Sequence, residues 1–95
     1  MKIRYYIDSQ TGQPHIYQYS ISEAEVEDIL QNAGEDRLGA EGSRIAIGQT
    51  LDGRYLRIIY VLDPERDGIF VITGYEFTGK PLLAYRRRRR RKGKR

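Results

Sequence analysis

Three runs rich in β-branched and aromatic residues follow one another between residues 43 and 77, and no other feature narrows the fold as much. They are "SRIAIGQTL" (43–51), "RYLRIIYVL" (54–62) and "GIFVITGYEF" (68–77). Asp52-Gly53 separates the first two, a signal for a two-residue type I′ hairpin turn in which both central residues take positive φ. "DPERDG" joins the second to the third as a longer turn. Short links of this kind predict an antiparallel meander. Alternation in the middle run puts Leu56, Ile58, Tyr60 and Leu62 on one side, where a helix can meet them, and turns Tyr55, Arg57, Ile59 and Val61 away. In the first run Ile45, Ile47 and Leu51 share a face. Arg44, Ala46, Gly48 and Thr50 lie opposite, a surface of small residues with one guanidinium that a ligand backbone could approach closely.

The helix that such a sheet requires is announced by "SEAEVEDILQNAG", residues 22–34. Ser22 and Glu25 form an S-x-x-E capping box, and Val26, Ile29, Leu30 and Ala33 recur at helical spacing before Gly34 stops the pattern. Glu23, Glu25 and Asp28 sit near the positive end of the helix dipole, a sufficient structural reason for the acids. Upstream, "KIRYYID" (2–8) reads as an edge strand and "SQTGQP" as a loop. "HIYQYSI" (15–21) suits either a returning strand or one or two helical turns. "EDRLGAEGS" (35–43) reads as a connecting loop. The fold class expected is α+β: an N-terminal strand, one or two helices, then a three-stranded antiparallel meander packed on the helix.

The chain ends in "AYRRRRRRKGKR". Residues 86–95 carry nine Lys or Arg, while residues 1–85 carry the other eight against all thirteen Asp and Glu, so an acidic body of net charge −5 bears a basic end of +9. Six adjacent arginines have no apolar face to bury and repel one another, so a flexible, disordered tail over 86–95 is expected, attached to a single domain over 1–85 and ordered only in complex. The apolar residues of "TGKPLLAY" (78–85), Leu82, Leu83 and Tyr85, are expected to dock on the sheet and fix where the arginines emerge. A chain of 95 residues holds one small core. With no cysteine and one histidine, a disulfide framework, a thiolate nucleophile and an imidazole metal site all drop out, and no metal or other cofactor is expected. No apolar run has the length of a signal peptide or a membrane span, so a cytoplasmic protein without a membrane partner is expected.

Several of these stretches resemble the RelE/ParE toxin superfamily, in particular BrnT-like toxins and their uncharacterised relatives. "HIYQYSISEAEVEDIL" looks like the family's histidine followed by its "GIS-x-E-E-V" helix. "SRIAIGQTLDGRYLRIIYV" looks like its R-x-x-x-G strand and following hairpin, and "VITGYEFTGKPLLAY" like its closing strand. The resemblance covers most of residues 1–88. It implies a prokaryotic RelE-like fold over 1–85, metal-free endoribonuclease activity on mRNA, commonly at the ribosome, and a cognate antitoxin partner. His15, Arg44, Arg57 and Tyr85 fall at plausible family positions. Where those toxins carry an arginine in the closing strand this chain has Tyr75, and where a Glu-Arg pair would lie it has Lys80 within "GKP". A non-catalytic RNA- or ribosome-binding module of the same fold is therefore the alternative.

Metal-free RNA cleavage needs a base for the 2′-OH proton, an acid for the leaving oxygen and cations for the phosphorane. Histidine is the side chain type that ordinarily titrates near neutrality, which singles out His15. Tyr85 and Lys80 are the further proton-transfer candidates. Arg44 and Arg57 on an open sheet face, with Arg86, Arg87, Arg88, Arg89, Arg90, Arg91 and Lys92, are the candidate phosphate ligands. Tyr55 and Tyr75 are candidates for stacking on unpaired bases. Arg44 and Arg57 equally suit ion pairs across the meander. Tyr5, Tyr6, Tyr17, Tyr19 and Tyr60 are expected to pack in the core or sheet.

Overall fold

The computed structural model describes residues 2–63 and 67–93. Its elements are β1 (Lys2–Tyr5), a 3-10 helix (His15–Tyr19), α1 (Glu23–Gln31), β2 (Glu35–Leu38), a 3-10 turn (Ala40–Gly42), β3 (Arg44–Gln49), β4 (Tyr55–Asp63), β5 (Gly68–Glu76) and α2 (Gly79–Gly93). The class is α+β, as expected, but in place of an N-terminal strand and a three-stranded meander there is one five-stranded mixed sheet, in the order β1-β5-β4-β3-β2. Consecutive strands β2 to β5 pair antiparallel, and β1 lies parallel to β5 on the far edge. The stretch read as a loop at 35–43 contains β2. Its charges hid it: an edge strand has one side free for water and tolerates Glu35, Asp36 and Arg37. The undecided stretch 15–21 begins as helix, and Ile16 and Ile21 are buried.

α1 begins as its sequence dictates. The Ser22 hydroxyl accepts from the Glu25 N–H at 3.1 Å, and the Ser22 N–H donates to Glu25 Oε1 at 3.0 Å. Val26 and Ile29 then meet Ala46, Leu56, Ile58, Tyr60 and Val71 in the main core. The helix thus covers the Ala46 and Gly48 side of β3, a correction to the expectation of an open surface there. Small residues serve close packing: a Cβ on Gly48 would lie 3.4 Å from Ile29 Cδ1. Leu62, at the far end of the α1-facing row, is 63% exposed and lies beyond the helix.

Two local irregularities set the register. The β3–β4 connection is a three-residue loop rather than a type I′ pair: the Thr50 N–H donates to the Arg54 carbonyl at 2.8 Å, and the Gly53 N–H to the Thr50 carbonyl at 2.9 Å. Only Gly53 takes positive φ there, at 90°, so Leu51 is an additional loop residue and is exposed. In β5, Ile59 pairs with Thr73 but Tyr60 with Val71, a bulge that gives Ile72 no partner. It reverses the alternation, so that Val71 and Gly74 both face α1.

Arg54 ties these parts together. Its guanidinium donates to the Ser20 carbonyl at 2.6 Å and to both Glu25 oxygens at 3.0 and 3.2 Å, with Glu76 at 3.5 Å. Burial works against the Glu25 carboxylate, but hydrogen bonds from the Ser22 backbone and Arg54 outweigh it and hold its pKa below the ordinary 4.5. A depressed folded-state pKa adds stability that is complete above the unfolded carboxylate range and is lost as pH falls through the folded value. Arg54→Ala is expected to cost about 1–3 kcal/mol at pH 7. The difference from wild type in urea midpoint should shrink at pH values below 4.5. An unchanged difference at acid pH would remove Glu25 from this account.

The basic end is not a disordered tail over its described length: residues 79–93 form α2. Arginine is a good helix former, Pro81 sits in the first turn where its missing N–H is harmless, and the arginines occupy the C-terminal part, where the helix dipole favours cations. Leu82 and Tyr85 pack on Ile47 and Phe77, with Ile45 and Tyr55 alongside, across the sheet from α1. Leu83 faces away and is 57% exposed. Lys94 and Arg95 lie outside the described residues. No helix among the described residues is long and apolar enough to cross a membrane.

Candidate nucleic-acid interface

Docking through Leu82 and Tyr85 places the following arginines against the sheet edge instead of in free solution. The Arg88 guanidinium makes a two-pronged contact with the Glu35 carboxylate, one bond measuring 2.9 Å. Arg89 Nη1 donates to the Gly34 carbonyl at 3.0 Å. The Arg86 guanidinium makes a cation–π contact with the Tyr55 ring, its central carbon 5.9 Å from the ring centre. The result is a cleft of about 370 Å³ between α2 and the sheet. Arg86, Arg89 and Arg90 bring three positive charges to it, Tyr55 supplies an aromatic wall, and Asn32 and Gln49 offer amides. Arg87 and Arg91 are exposed on the helix, and the side chain of Lys92 lies outside the described residues.

Beyond the cleft, the same sheet face continues along β4. Arg57 follows Tyr55 on this side and stands directly opposite Tyr75 on β5. Its Nε is buried without a hydrogen-bond partner, as is the neighbouring Thr73 hydroxyl. Arg44 is not part of this surface, contrary to expectation. It lies on the α1 side of the sheet, opposite Tyr60, and pairs with Asp36 at 2.9 Å. Burial pushes the Tyr60 phenol up to about 12, and its hydrogen bond to Asp36 adds to this. Thirteen positions separate Arg44 from Arg57, and the three-residue turn between their strands decides which faces they take.

The proton-transfer candidates are not brought together. Tyr85 is 4% exposed, and burial raises its phenol above the ordinary 10, with Arg89 acting in the opposite direction. A raised pKa leaves less phenolate for a base at neutral pH. Lys80 is exposed in the first turn of α2. His15 is held elsewhere, with Nδ1 3.5 Å from Asp8 Oδ2 and its ring between Tyr6 and Tyr19. Neither ring lines the arginine cleft.

Sequence reasoning passed over Glu35 and Gly34, which anchor the arginines, and also Tyr6 and Tyr19. Three of the tyrosines assigned to packing, Tyr6, Tyr17 and Tyr19, are exposed at 48%, 42% and 40%. The signal available was weak: Tyr5-Tyr6 is a pair in which strand alternation must turn one ring outward. No family model, curated protein or solved structure matches this chain.

Proposed function

We propose that this protein binds RNA, free or within the ribosome, through the α2 cleft and the adjoining sheet face, as a binding module without turnover. The observation that carries the reading is the convergence of Arg86, Arg89 and Arg90 with the Tyr55 ring in one cleft. Guanidinium groups recognise phosphate in two-pronged fashion, and an aromatic wall accepts a base. Arg57 extends the positive surface along the sheet. The separation of His15 from this cleft, and the raised pKa of Tyr85, support binding over cleavage.

Anisotropy titration of full-length protein against a labelled single-stranded RNA, at low and moderate salt, tests this, with the same samples run on a denaturing gel. Salt-sensitive binding with intact RNA is the expected result. Absence of binding at low salt would overturn it. The endoribonuclease reading keeps one favourable observation, the nearness of a carboxylate to the imidazole, His15 Nδ1 lying 3.5 Å from Asp8 Oδ2 without a hydrogen bond among the described residues. Cleavage products that disappear with His15→Ala would establish that reading instead.

A further inference from the structure

Tyr6, His15, Tyr19 and Tyr75 form a continuous row of rings that the arginine cleft does not use. Tyr6 and His15 lie 5.8 Å apart at 65°, His15 and Tyr19 5.7 Å apart at 72°, and Tyr19 and Tyr75 5.0 Å apart at 66°. Edge-to-face contacts of this kind brace each ring by its neighbour and leave flat aromatic surface open. Tyr6, Tyr19 and Tyr75 are 48%, 40% and 39% exposed, which is a contiguous aromatic patch facing water. The row is also fixed from behind: the Tyr19 carbonyl accepts from Arg54 at 3.3 Å, and the 3-10 helix packs along β5.

At Tyr75 the row reaches Arg57, directly across the β4–β5 ladder, whose Nε is buried and unpartnered among the described residues. A buried guanidinium N–H without a hydrogen-bond partner is costly, and an anion seated against this side chain would offset that cost. Aromatic surface therefore begins where a phosphate is wanted.

We propose that this row is a stacking platform for the unpaired bases of single-stranded RNA, with Arg57 holding the phosphate at its entrance. The proposal rests on the RNA-binding reading above and adds a selectivity to it. Bases in a duplex are already stacked on one another and show a protein mainly phosphates and sugars, whereas unpaired bases can be splayed onto rings. Every base has a π-face, so the platform selects single strands without selecting sequence.

Two labelled RNA oligonucleotides of equal length and charge, one carrying bases throughout and one with a central abasic stretch, test this on the unaltered protein. The abasic strand is expected to bind about 5- to 100-fold more weakly with the same salt dependence, because only stacking has been removed. Tyr75→Ala and Tyr19→Ala should weaken binding of the base-bearing strand alone, and Tyr75→Phe should keep it. Equal affinity of wild type for both strands overturns the platform and leaves RNA binding standing. Tyrosine variants that lose both strands equally also overturn it, since the rings would then serve packing. No affinity for either strand overturns the RNA reading, and the platform with it.

Discussion

Tyr85→Ala is expected to release α2 from the sheet and dissolve the arginine cleft while leaving the α1 core folded. Tyr85 is the one buried aromatic of α2, in contact with Phe77 and Tyr55 at 6.1 Å each, and the cluster beneath it is small. Truncating a buried aromatic typically costs about 3–5 kcal/mol, and a helix of adjacent cations has little else to hold it. Hydrogen exchange should show residues 82–91 losing protection while β3, β4 and α1 keep theirs. Tyr85→Phe should preserve docking. Gly34→Ala should mimic the loss from the other side, because a Cβ there would lie 2.0 Å from the Tyr85 hydroxyl. Combining Gly34→Ala with Tyr85→Phe removes that closest contact and should recover part of the protection. Unchanged protection in Tyr85→Ala would mean that the Arg88 and Arg89 contacts alone hold the helix.

Removal of residues 86–95 is expected to have the largest effect on RNA affinity. The truncated chain keeps Tyr85 and the docked first turns but loses nine positive charges, leaving the acidic body. For single strands, log affinity falls with log salt at about 0.7 per phosphate neutralised, so a helix that engages about five phosphates weakens about 100-fold between about 50 and 200 mM salt. Truncation should cut affinity at low salt by at least that factor. What remains should be nearly insensitive to salt, since it depends on Arg57 and the rings. A truncated protein that binds as tightly as the full chain, with the same salt slope, would move the phosphate contacts off α2.

Parts of this architecture were legible because their signals are local. The capping box of α1 is a reciprocal pair of bonds within four residues, so the sequence of Ser22 to Glu25 is enough to start the helix. Alternation in β4 likewise assigns Leu56, Ile58 and Tyr60 to one face without knowledge of any partner. The Asp52-Gly53 signal located the hairpin but not its loop length, and the additional residue follows from the cross-strand bond of Thr50 to Arg54. β2 escaped notice because three charged residues followed by Leu38 gain strand character only from pairing with β3.

The candidate interface was legible in its components and not in its arrangement. Arg57, Tyr55, Tyr75 and the arginine run could be named from their chemistry, whereas Arg44 was misplaced because parity across a turn depends on that turn's length. Tyr6 and Tyr19 could not be separated from core tyrosines, because a ring's exposure is decided by what other segments leave uncovered.

The sequence by itself determined the α1 helix, the strand runs and the segregation of charge into an acidic body and a basic end, since each rests on neighbours a few residues apart. Tertiary structure alone decided that the basic end is a docked helix. Repulsion among its arginines is offset by contacts with Glu35, Gly34 and Tyr55, which lie 31 to 55 residues away along the chain and come within reach only once the sheet is built.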